Sequence, residues 1–327
     1  MKAYIARRFL YMILLLVMAS MVSFIVITLP PGDYLTSYIM RLKAQGQDVG
    51  LDEELALRRQ YGLDQPYYIQ YFKWASQMLR GNMGRSFEFN RPVWDVIQPR
   101  LGMTILVAGV SLIFTYVMAI PIGIYSAVRQ YSIGDYVFTV IGFAGVSIPN
   151  FLLALVVMVF AYRTFGTSIG GLFSIEYVDA PWSLAKIQDL IKHLPVPIIV
   201  IGLSGTAWLI RTMRATLLDE LHKPYVQTAR AKGLKEGKLL AKYPIRVALN
   251  PIASTVGWAL PGLFSGQTII SIVLDLPTIG PILLRSLMTE DMFLAASTLF
   301  ISTALTLVGT LISDMLLVWL DPRIQYT

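Results

Sequence analysis

The sequence predicts an all-α integral membrane protein with six membrane-spanning helices. Only 14% of its 327 residues are charged and 55% are hydrophobic, whereas about 25% of residues are charged in an average soluble domain. The hydrophobic residues cluster in runs of about twenty or more, the length that crosses a bilayer core as a helix. These runs lack the alternation over about ten residues that is typical of strands in membrane barrels.

The first predicted span follows three basic residues, a pattern that secretory signal peptides also show. Its apolar stretch is longer than a usual signal-peptide core, and it ends at Pro30-Pro31-Gly32 without a small-residue cleavage site. We therefore expect an uncleaved span. The six predicted spans are Phe9–Pro30, Leu101–Val128, Tyr136–Tyr162, Pro195–Leu217, Ile252–Leu274 and Leu294–Leu320.

Several of these spans contain proline and glycine, which allow close packing and kinks in membrane helices. As a set they suit helices that pivot. They are Pro121, Pro149, Pro195, Pro197, Pro261, Gly123, Gly142, Gly145, Gly202, Gly205, Gly257, Gly262 and Gly266.

The distribution of charge predicts that both termini lie inside. In that orientation the inner segments carry the N-terminal basic residues, Arg129, Arg323 and the basic stretch 211–246. The short outer loops mix both signs of charge. This asymmetry follows the positive-inside rule. It also accounts for the net charge of +7 without any nucleic-acid partner.

Residues 31–100 are expected to form a folded outer cap loop. Leu51–Tyr61 is helix-like, with acidic residues in its first turn and a glycine after it. A second helix is predicted over Tyr67–Leu79, after Pro66 and before Arg80-Gly81-Asn82. The loop is rich in Tyr and Trp, and two interpretations stay open. These aromatic residues lie at the membrane interface, or they contact a docking partner.

The sequence contains no catalytic or metal-binding pattern. It has no cysteine, and its two histidines, His193 and His222, fall in different loops, so a zinc site is not expected. Gly233–Leu239 departs from a phosphate-binding loop, because three residues instead of four separate its glycines and Leu239 replaces the Ser or Thr that binds magnesium. We expect neither a cofactor nor enzyme activity in this chain alone.

Charged residues within the predicted spans are scarce. Asp314 and Asp275 lie near span ends, and a buried membrane carboxylate is a functional candidate by default. Two such acids do not make a proton relay, so we expect structural hydrogen bonds or pairing with a neighbouring chain. Arg211 and Arg214 are expected to mark the inner end of the fourth span, with their stems reaching the interface.

The most informative stretch is the basic segment 221–251, between the fourth and fifth spans. Pro224 suits the first turn of a helix, Tyr225–Lys232 would make two turns, and Gly233 is well placed to end them. A second helix is expected over Glu236–Leu249. An amphipathic helix of this kind can lie on anionic lipid. Two turns are short for that purpose, so docking into a groove of a soluble protein is favoured.

This segment resembles the coupling loop of binding-protein-dependent ABC importer permeases, in the variant of the dipeptide/oligopeptide/nickel branch. The general signature begins Glu-Ala-Ala, with Gly four residues after the second Ala. This chain has Gln227-Thr228-Ala229 and then Gly233, with Ala248-Leu249-Asn250-Pro251 further on. The resemblance implies that an ATPase is contacted by Tyr225, Val226, Gln227, Thr228, Ala229, Arg230, Ala231, Lys232, Gly233 and Leu234.

Further motifs extend the resemblance over essentially the whole chain. They are Tyr61-Gly62-Leu63-Asp64-Gln65-Pro66 with Gln70-Tyr71, Gly81-Asn82-Met83-Gly84-Arg85-Ser86, Ser147-Ile148-Pro149-Asn150-Phe151, and Asp321-Pro322-Arg323-Ile324. The resemblance implies a type I ABC importer permease fold, of the first-permease kind with a large outer loop. Its segments would be residues 1–30 (tail and first span), 31–100 (cap) and 101–327 (five-helix core with coupling loop 218–250).

The resemblance also implies the partners of the chain. They would be a second, different permease in a heterodimer, two cytoplasmic ABC ATPase subunits or domains that bind ATP and magnesium, an extracytoplasmic binding protein, and the lipid of a prokaryotic cytoplasmic (inner) membrane. Candidate residues for contact with the binding protein are Tyr61, Asp64, Tyr67, Arg85, Glu290 and Asp291.

The imported substrate is expected to be a dipeptide or oligopeptide, with an oligosaccharide or other small solute as the alternative. The stretches Leu276–Pro281 and Glu290–Phe293 depart from the peptide form, which has Pro-Gly-Leu-Gly and later Asp-Tyr-Pro. Two other classes fit less well. A stand-alone secondary transporter or channel predicts inverted repeats and charged or broken mid-span segments, and a membrane enzyme predicts a His, Cys or acidic cluster.

Overall fold

The computed structural model describes residues 2–28, 64–166 and 169–320, together with residues 35, 36, 39, 40, 55 and 59. Within them the regular secondary structure consists of α-helices, with a 3-10 helix at Ile175–Tyr177 and an isolated bridge between Arg85 and Pro92. The all-α prediction is confirmed for this part of the chain. The helices are α1 (Lys2–Thr28), α2 (Tyr67–Leu79), α3 (Val93–Val128), α4 (Ile133–Ser147), α5 (Asn150–Phe165), α6 (Leu184–His193), α7 (Pro195–Leu221), α8 (Pro224–Ala231), α9 (Glu236–Lys242), α10 (Pro244–Gly266), α11 (Thr268–Val273), α12 (Ile279–Met288) and α13 (Met292–Leu320).

Four of the described helices, α1, α3, α7 and α13, are long and apolar enough to cross a membrane. They overlap the first, second, fourth and sixth predicted spans. Helix α3 has 36 residues, and at about 1.5 Å per residue it greatly exceeds the thickness of a bilayer core of about 30 Å. Helix α3 begins at Val93, well before the predicted boundary at Leu101.

The third predicted span, Tyr136–Tyr162, is not one continuous helix. It is divided between α4 and α5, which are bent by 107° at the break. Ile148 and Pro149 both have extended backbone there, with ψ of 123° and 133°, because the proline ring disfavours helical geometry in the residue before it. The two apolar helices can form a broken span or a re-entrant pair.

The predicted helix Glu236–Leu249 is also shorter than expected. Helix α9 ends at Lys242, and Tyr243 leaves helical geometry with φ −117° and ψ −81°. Pro244 then begins α10, as a residue with a preset φ and no N–H suits a first helical position. The fifth predicted span, Ile252–Leu274, therefore corresponds to most of α10 followed by α11.

Two predictions in the outer cap have different outcomes. The helix over Tyr67–Leu79 is confirmed with the same bounds, between Pro66 and Arg80. The expected helix Leu51–Tyr61 lies outside the described residues, apart from residues 55 and 59.

The chain divides into two compact units, and the first comprises residues 1–104 and 278–307. Its core contains Val93 and Ile97 from α3, Ile279 from α12 and Leu294 from α13. All four side chains are at most 3% exposed. The start of α3 and the helices around residues 279–301 thus form one packed group.

The second unit comprises residues 105–277 and 308–327, and α7 supplies much of its core. Leu209, Met213 and Leu217 pack with residues of α3 and α10, including Ala127 and Ile252. Helix α4 also lies close to α7. A Cβ added at Gly145 would come within 3.0 Å of the Leu203 side chain, so glycine permits this approach, as expected for a packing position.

Candidate functional site

The segment between α7 and α10 forms a short hairpin of two helices, α8 and α9. Pro224 occupies the first turn of α8, after Lys223 in extended geometry. At the other end Gly233 adopts a left-handed φ of +76°. Its N–H donates to the Arg230 carbonyl at 3.0 Å, and the Leu234 N–H donates to the Ala229 carbonyl at 3.4 Å. This pair of bonds is the Schellman ending of a helix, and it confirms the predicted stop at Gly233.

One face of α8 is buried against α9. Val226 and Leu239 are fully buried, and Ala229 is 8% exposed. Leu234 and Tyr243 pack against the same cluster. This small apolar core fixes the orientation of α8 on the hairpin.

Polar contacts at the hairpin surface add to that core. The Arg230 guanidinium donates to both carboxylate oxygens of Glu236, the Nη2 bond measuring 3.2 Å. The phenol of Tyr225 donates to the carboxylate of Glu220, the penultimate residue of α7. Partial burial and this hydrogen bond raise the pKa of Tyr225 to about 12. Exposed ion pairs contribute little stability, and we assign these contacts an orienting role.

The face of α8 opposite Val226 and Ala229 is exposed. It carries Gln227, Thr228, Ala231 and Lys232. Because Thr228 and Ala231 are small, another protein surface can approach this face closely. The ten predicted coupling residues thus separate into buried residues that hold α8, chiefly Val226 and Ala229, and exposed residues that can make contact.

Helix α8 is rigidly connected to two long helices. Only His222 and Lys223 separate it from α7. On the other side α9 leads through Tyr243 into α10, which packs along α7. The Thr216 hydroxyl donates to the Ala248 carbonyl at 3.2 Å across these two helices. The hairpin is therefore joined by short segments to a packed pair of helices.

A buried ion pair lies further along α7, and sequence reasoning missed it. Arg214 Nε donates to Asp135 Oδ1 and Arg214 Nη2 to Asp135 Oδ2, both at 2.9 Å. Asp135 is 2% exposed and also accepts from the Tyr131 N–H at 3.0 Å. Arg214 was expected to reach the interface from the end of a span. Since α7 continues to Leu221, Arg214 lies within the helix and pairs with α4 instead.

The second group of predicted contact residues lies in the first unit. Asp64, Tyr67 and Arg85 are exposed and Glu290 is half-buried, while Tyr61 lies outside the described residues. Arg85 is held by its own loop, since Nε donates to Asn90 Oδ1 at 3.0 Å and Nη2 to the Asn90 carbonyl at 2.8 Å.

Asp291 differs from the other predicted contact residues because its side chain is fully buried. Its Oδ2 accepts from the Ser86 hydroxyl at 2.5 Å and the Glu88 N–H at 3.0 Å, and its Oδ1 accepts from the Leu294 N–H at 3.1 Å. Burial raises the pKa of Asp291, and these hydrogen bonds oppose the rise. The carboxylate is therefore not accessible to a partner, contrary to the prediction. It organises the loop that carries Glu88, whose Oε1 lies 2.8 Å from Arg285 Nη2.

Two family descriptions match nearly the whole chain. Residues 119–326 match the binding-protein-dependent transport system inner membrane component. Residues 1–108 match the N-terminal part of the binding-protein-dependent transport system membrane component.

Named relatives are similar over the full length. The chain is 35% identical to the oligopeptide transport system permease protein AppB of Bacillus subtilis, with all of both chains covered. It is 30% identical to the oligopeptide transport system permease protein OppB of Mycobacterium bovis, covering 99% of each chain. It is 29% identical to the dipeptide transport system permease protein DppB of Alkalihalophilus pseudofirmus, covering all of both.

Proposed function

The chain belongs to the family of binding-protein-dependent transport system inner membrane components, and on that premise we propose that it forms half of the translocation pathway of an ATP-driven peptide importer. The observation that carries the proposal is α8. It is a two-turn helix whose buried face is fixed, whose outer face is exposed, and whose ends connect directly to two packed helices. Such a helix can receive force from another protein.

Peptides are the substrate class that the relatives favour. The three described above are named for oligopeptides or dipeptides, and they match this chain along its entire length. The departures in the Leu276–Pro281 and Glu290–Phe293 stretches motivated the oligosaccharide alternative, but none of these three names supports it. An extracytoplasmic binding protein would set much of the specificity.

The proposed topology has six crossings with both termini inside. The crossings are α1, α3, the bent pair α4 and α5, α7, α10 with α11, and α13. In this arrangement residues 31–100 lie outside and the coupling loop 218–250 lies inside, where its basic residues satisfy the positive-inside rule. The membrane is the cytoplasmic (inner) membrane of a prokaryote.

ATP hydrolysis is assigned to partner subunits. Two ABC ATPases would each receive one coupling helix, one from this chain and one from a second, homologous permease. ATP and magnesium would bind in those ATPases, and this chain alone would not be an enzyme. Closure of the ATPases favours one orientation of the pathway and their separation the other, a population shift driven by nucleotide. The residues 225–234 would convey it.

The binding protein is proposed to contact exposed side chains of the first unit. Asp64, Tyr67, Arg85 and Glu290 remain candidates, and Tyr61 is proposed with them on sequence alone. Asp291 supports this surface from within, because it joins the loop at Ser86 to the start of α13.

The proposal is tested by placing a charge on the exposed face of α8. In the variant Ala231→Glu the carboxylate lies on the docking face, because Ala231 is exposed. We expect the ATPases to be lost from the purified complex and peptide uptake to fall to background. Ala229 is a poorer test because it is buried, so its replacement also disturbs the seat of the helix.

Ala241→Glu is the matched control. Ala241 is an exposed alanine on α9 in the same hairpin, and its substitution should leave both ATPase recovery and uptake unchanged. Equal recovery of ATPase with both variants and with the unaltered chain would contradict the docking role of α8. An unaltered chain that recruits no ATPase would refute the importer assignment itself.

A further inference from the structure

Helix α2 has three distinct faces. Gln70 and Trp74 are buried, with Tyr71 and Met78 half-buried beside them. At 3.6 residues per turn, Tyr68, Phe72 and Leu79 fall on one exposed strip, and these side chains are 65%, 66% and 90% exposed. We call this the apolar strip of α2. A neighbouring polar strip, also exposed, contains Lys73, Ser76, Gln77 and Arg80.

The buried face of α2 packs on two helices that are apolar enough to span a membrane. The Tyr71 hydroxyl lies 2.9 Å from the Ser20 hydroxyl of α1. The Trp74 ring lies 6.1 Å from the Phe24 ring of α1 and 6.5 Å from the Phe300 ring of α13. Ser20 and Phe24 lie in the apolar stretch Arg7–Ile25, and Phe300 in Met292–Ile312. Helix α2 therefore packs directly on the apolar stretches of α1 and α13 and does not project away from them.

We propose that α2 lies in the outer interface of the bilayer, with its apolar strip among the lipids. Helix α1 shows an exposed apolar surface on the side of Phe24, including Val17 and Met21 at 44% and 43%, and lipid is what covers such a surface on a span. Aromatic residues are enriched at membrane interfaces.

The charge of α2 fits the same partner. Tyr67–Leu79 contains no acidic residue, and Lys73 and Arg80 both lie on the polar strip. An amphipathic helix with basic residues on its polar side lies in the plane of the interface, where anionic headgroups attract it. This inference rests on α1 and α13 crossing the membrane, which is one part of the proposed function. It does not require the ATPases or the peptide substrate.

The chain contains no cysteine, so single cysteines can report on each strip. Phe72→Cys, Gln77→Cys and Leu14→Cys, each spin-labelled, are placed in nanodiscs of phosphatidylethanolamine and phosphatidylglycerol as part of the full chain. Collision rates are then measured with oxygen, which partitions into lipid, and with a water-soluble nickel chelate. We expect the ratio of oxygen to nickel collisions to be higher at residue 72 than at residue 77, its matched exposed control on the same helix.

The label at residue 14 tests separately whether α1 crosses the membrane. Leu14 is 56% exposed in the middle of α1 and should be accessible to oxygen. If residue 14 favours oxygen while residue 72 favours nickel as strongly as residue 77 does, α2 lies in water and the inference is wrong. If the residue 72 label favours nickel and loses that accessibility on addition of the purified binding protein, the strip is a protein-docking surface and the inference is also overturned. If residue 14 itself favours nickel, the assignment of α1 as a span fails.

Discussion

Gly233 is the residue on which the geometry of α8 depends most. Its φ of +76° is adopted easily only by glycine. No heavy atom lies within 4 Å of the position that a Cβ would occupy. The need for glycine is therefore conformational and not steric.

Gly233→Ala should loosen the end of α8. A left-handed alanine costs about 1 kcal/mol, so we expect faster amide hydrogen exchange over residues 226–234 and weaker ATPase binding. Gly237→Ala is the control, since Gly237 also has no neighbour within 4 Å of its Cβ position but lies in helical geometry within α9. It should be neutral or slightly stabilising. Equal exchange in the two variants would show that the left-handed residue does not hold the helix end.

A second prediction concerns the ion pair of Asp135 and Arg214. Removing one partner of a buried pair costs about 3 kcal/mol because the other charge is left uncompensated. Arg214 keeps 27% side-chain exposure, so we expect a somewhat smaller loss for Asp135→Asn or Arg214→Gln alone. The double variant should lose less than the sum of the two single variants. Thermal unfolding in detergent measures this, and strictly additive losses would argue against a coupled pair.

At the scale of elements, the contact between α3 and α7 depends on Gly123. A Cβ at this position would lie 2.6 Å from the Met213 Cβ and 3.1 Å from the Ile210 carbonyl oxygen. Met213 is fully buried and has no room to withdraw. The two helices consequently approach more closely than any larger residue at position 123 permits.

Gly123→Ala should destabilise the protein by about 1–3 kcal/mol through overpacking, seen as a lower unfolding temperature. Gly109→Ala lies in the same helix with nothing within 4 Å of its Cβ position, and should have little effect. If both substitutions lower the unfolding temperature equally, the close contact of Gly123 with Met213 is not the cause of the loss.

Elements with local signals could be predicted from the sequence, and those that depend on context could not. Pro66 before α2, and Pro224 and Gly233 around α8, act within one turn of the helix that they bound. Prolines inside apolar runs are ambiguous by comparison. Pro121 lies within the continuous α3, whereas Pro149 separates α4 from α5. The apolar composition is the same on both sides of the break, so hydropathy carries no information about the 107° bend.

The candidate site shows the same division. The buried face of α8 could be predicted because Val226 and Ala229 are three residues apart on one helix. The pairing of Asp135 with Arg214 could not, because 79 residues separate them. The burial of Asp291 was likewise missed, since its partner Ser86 is 205 residues away. An acidic residue in a predicted outer loop gives no local sign of burial.

For the whole molecule, the proposed topology places the hairpin and the outer loops on opposite sides of the membrane. Single cysteines at Ala241 and Asn90, both exposed and neither on the docking face of α8, test this in the cysteine-free chain. In intact cells an impermeant maleimide should label residue 90 and not residue 241. In inverted membrane vesicles the pattern should reverse. Labelling of both positions from the same side would refute the six-crossing arrangement.

The central claim is that a separate ATPase contacts this chain through the exposed face of α8. The most direct measurement places a photo-crosslinking amino acid at Thr228, which is exposed, in cells that contain the complete importer. We expect irradiation to join this chain to an ABC ATPase from residue 228, and not from the same probe at Ala241. Crosslinks from residue 228 only to lipid, or equal ATPase crosslinks from both positions, would contradict it.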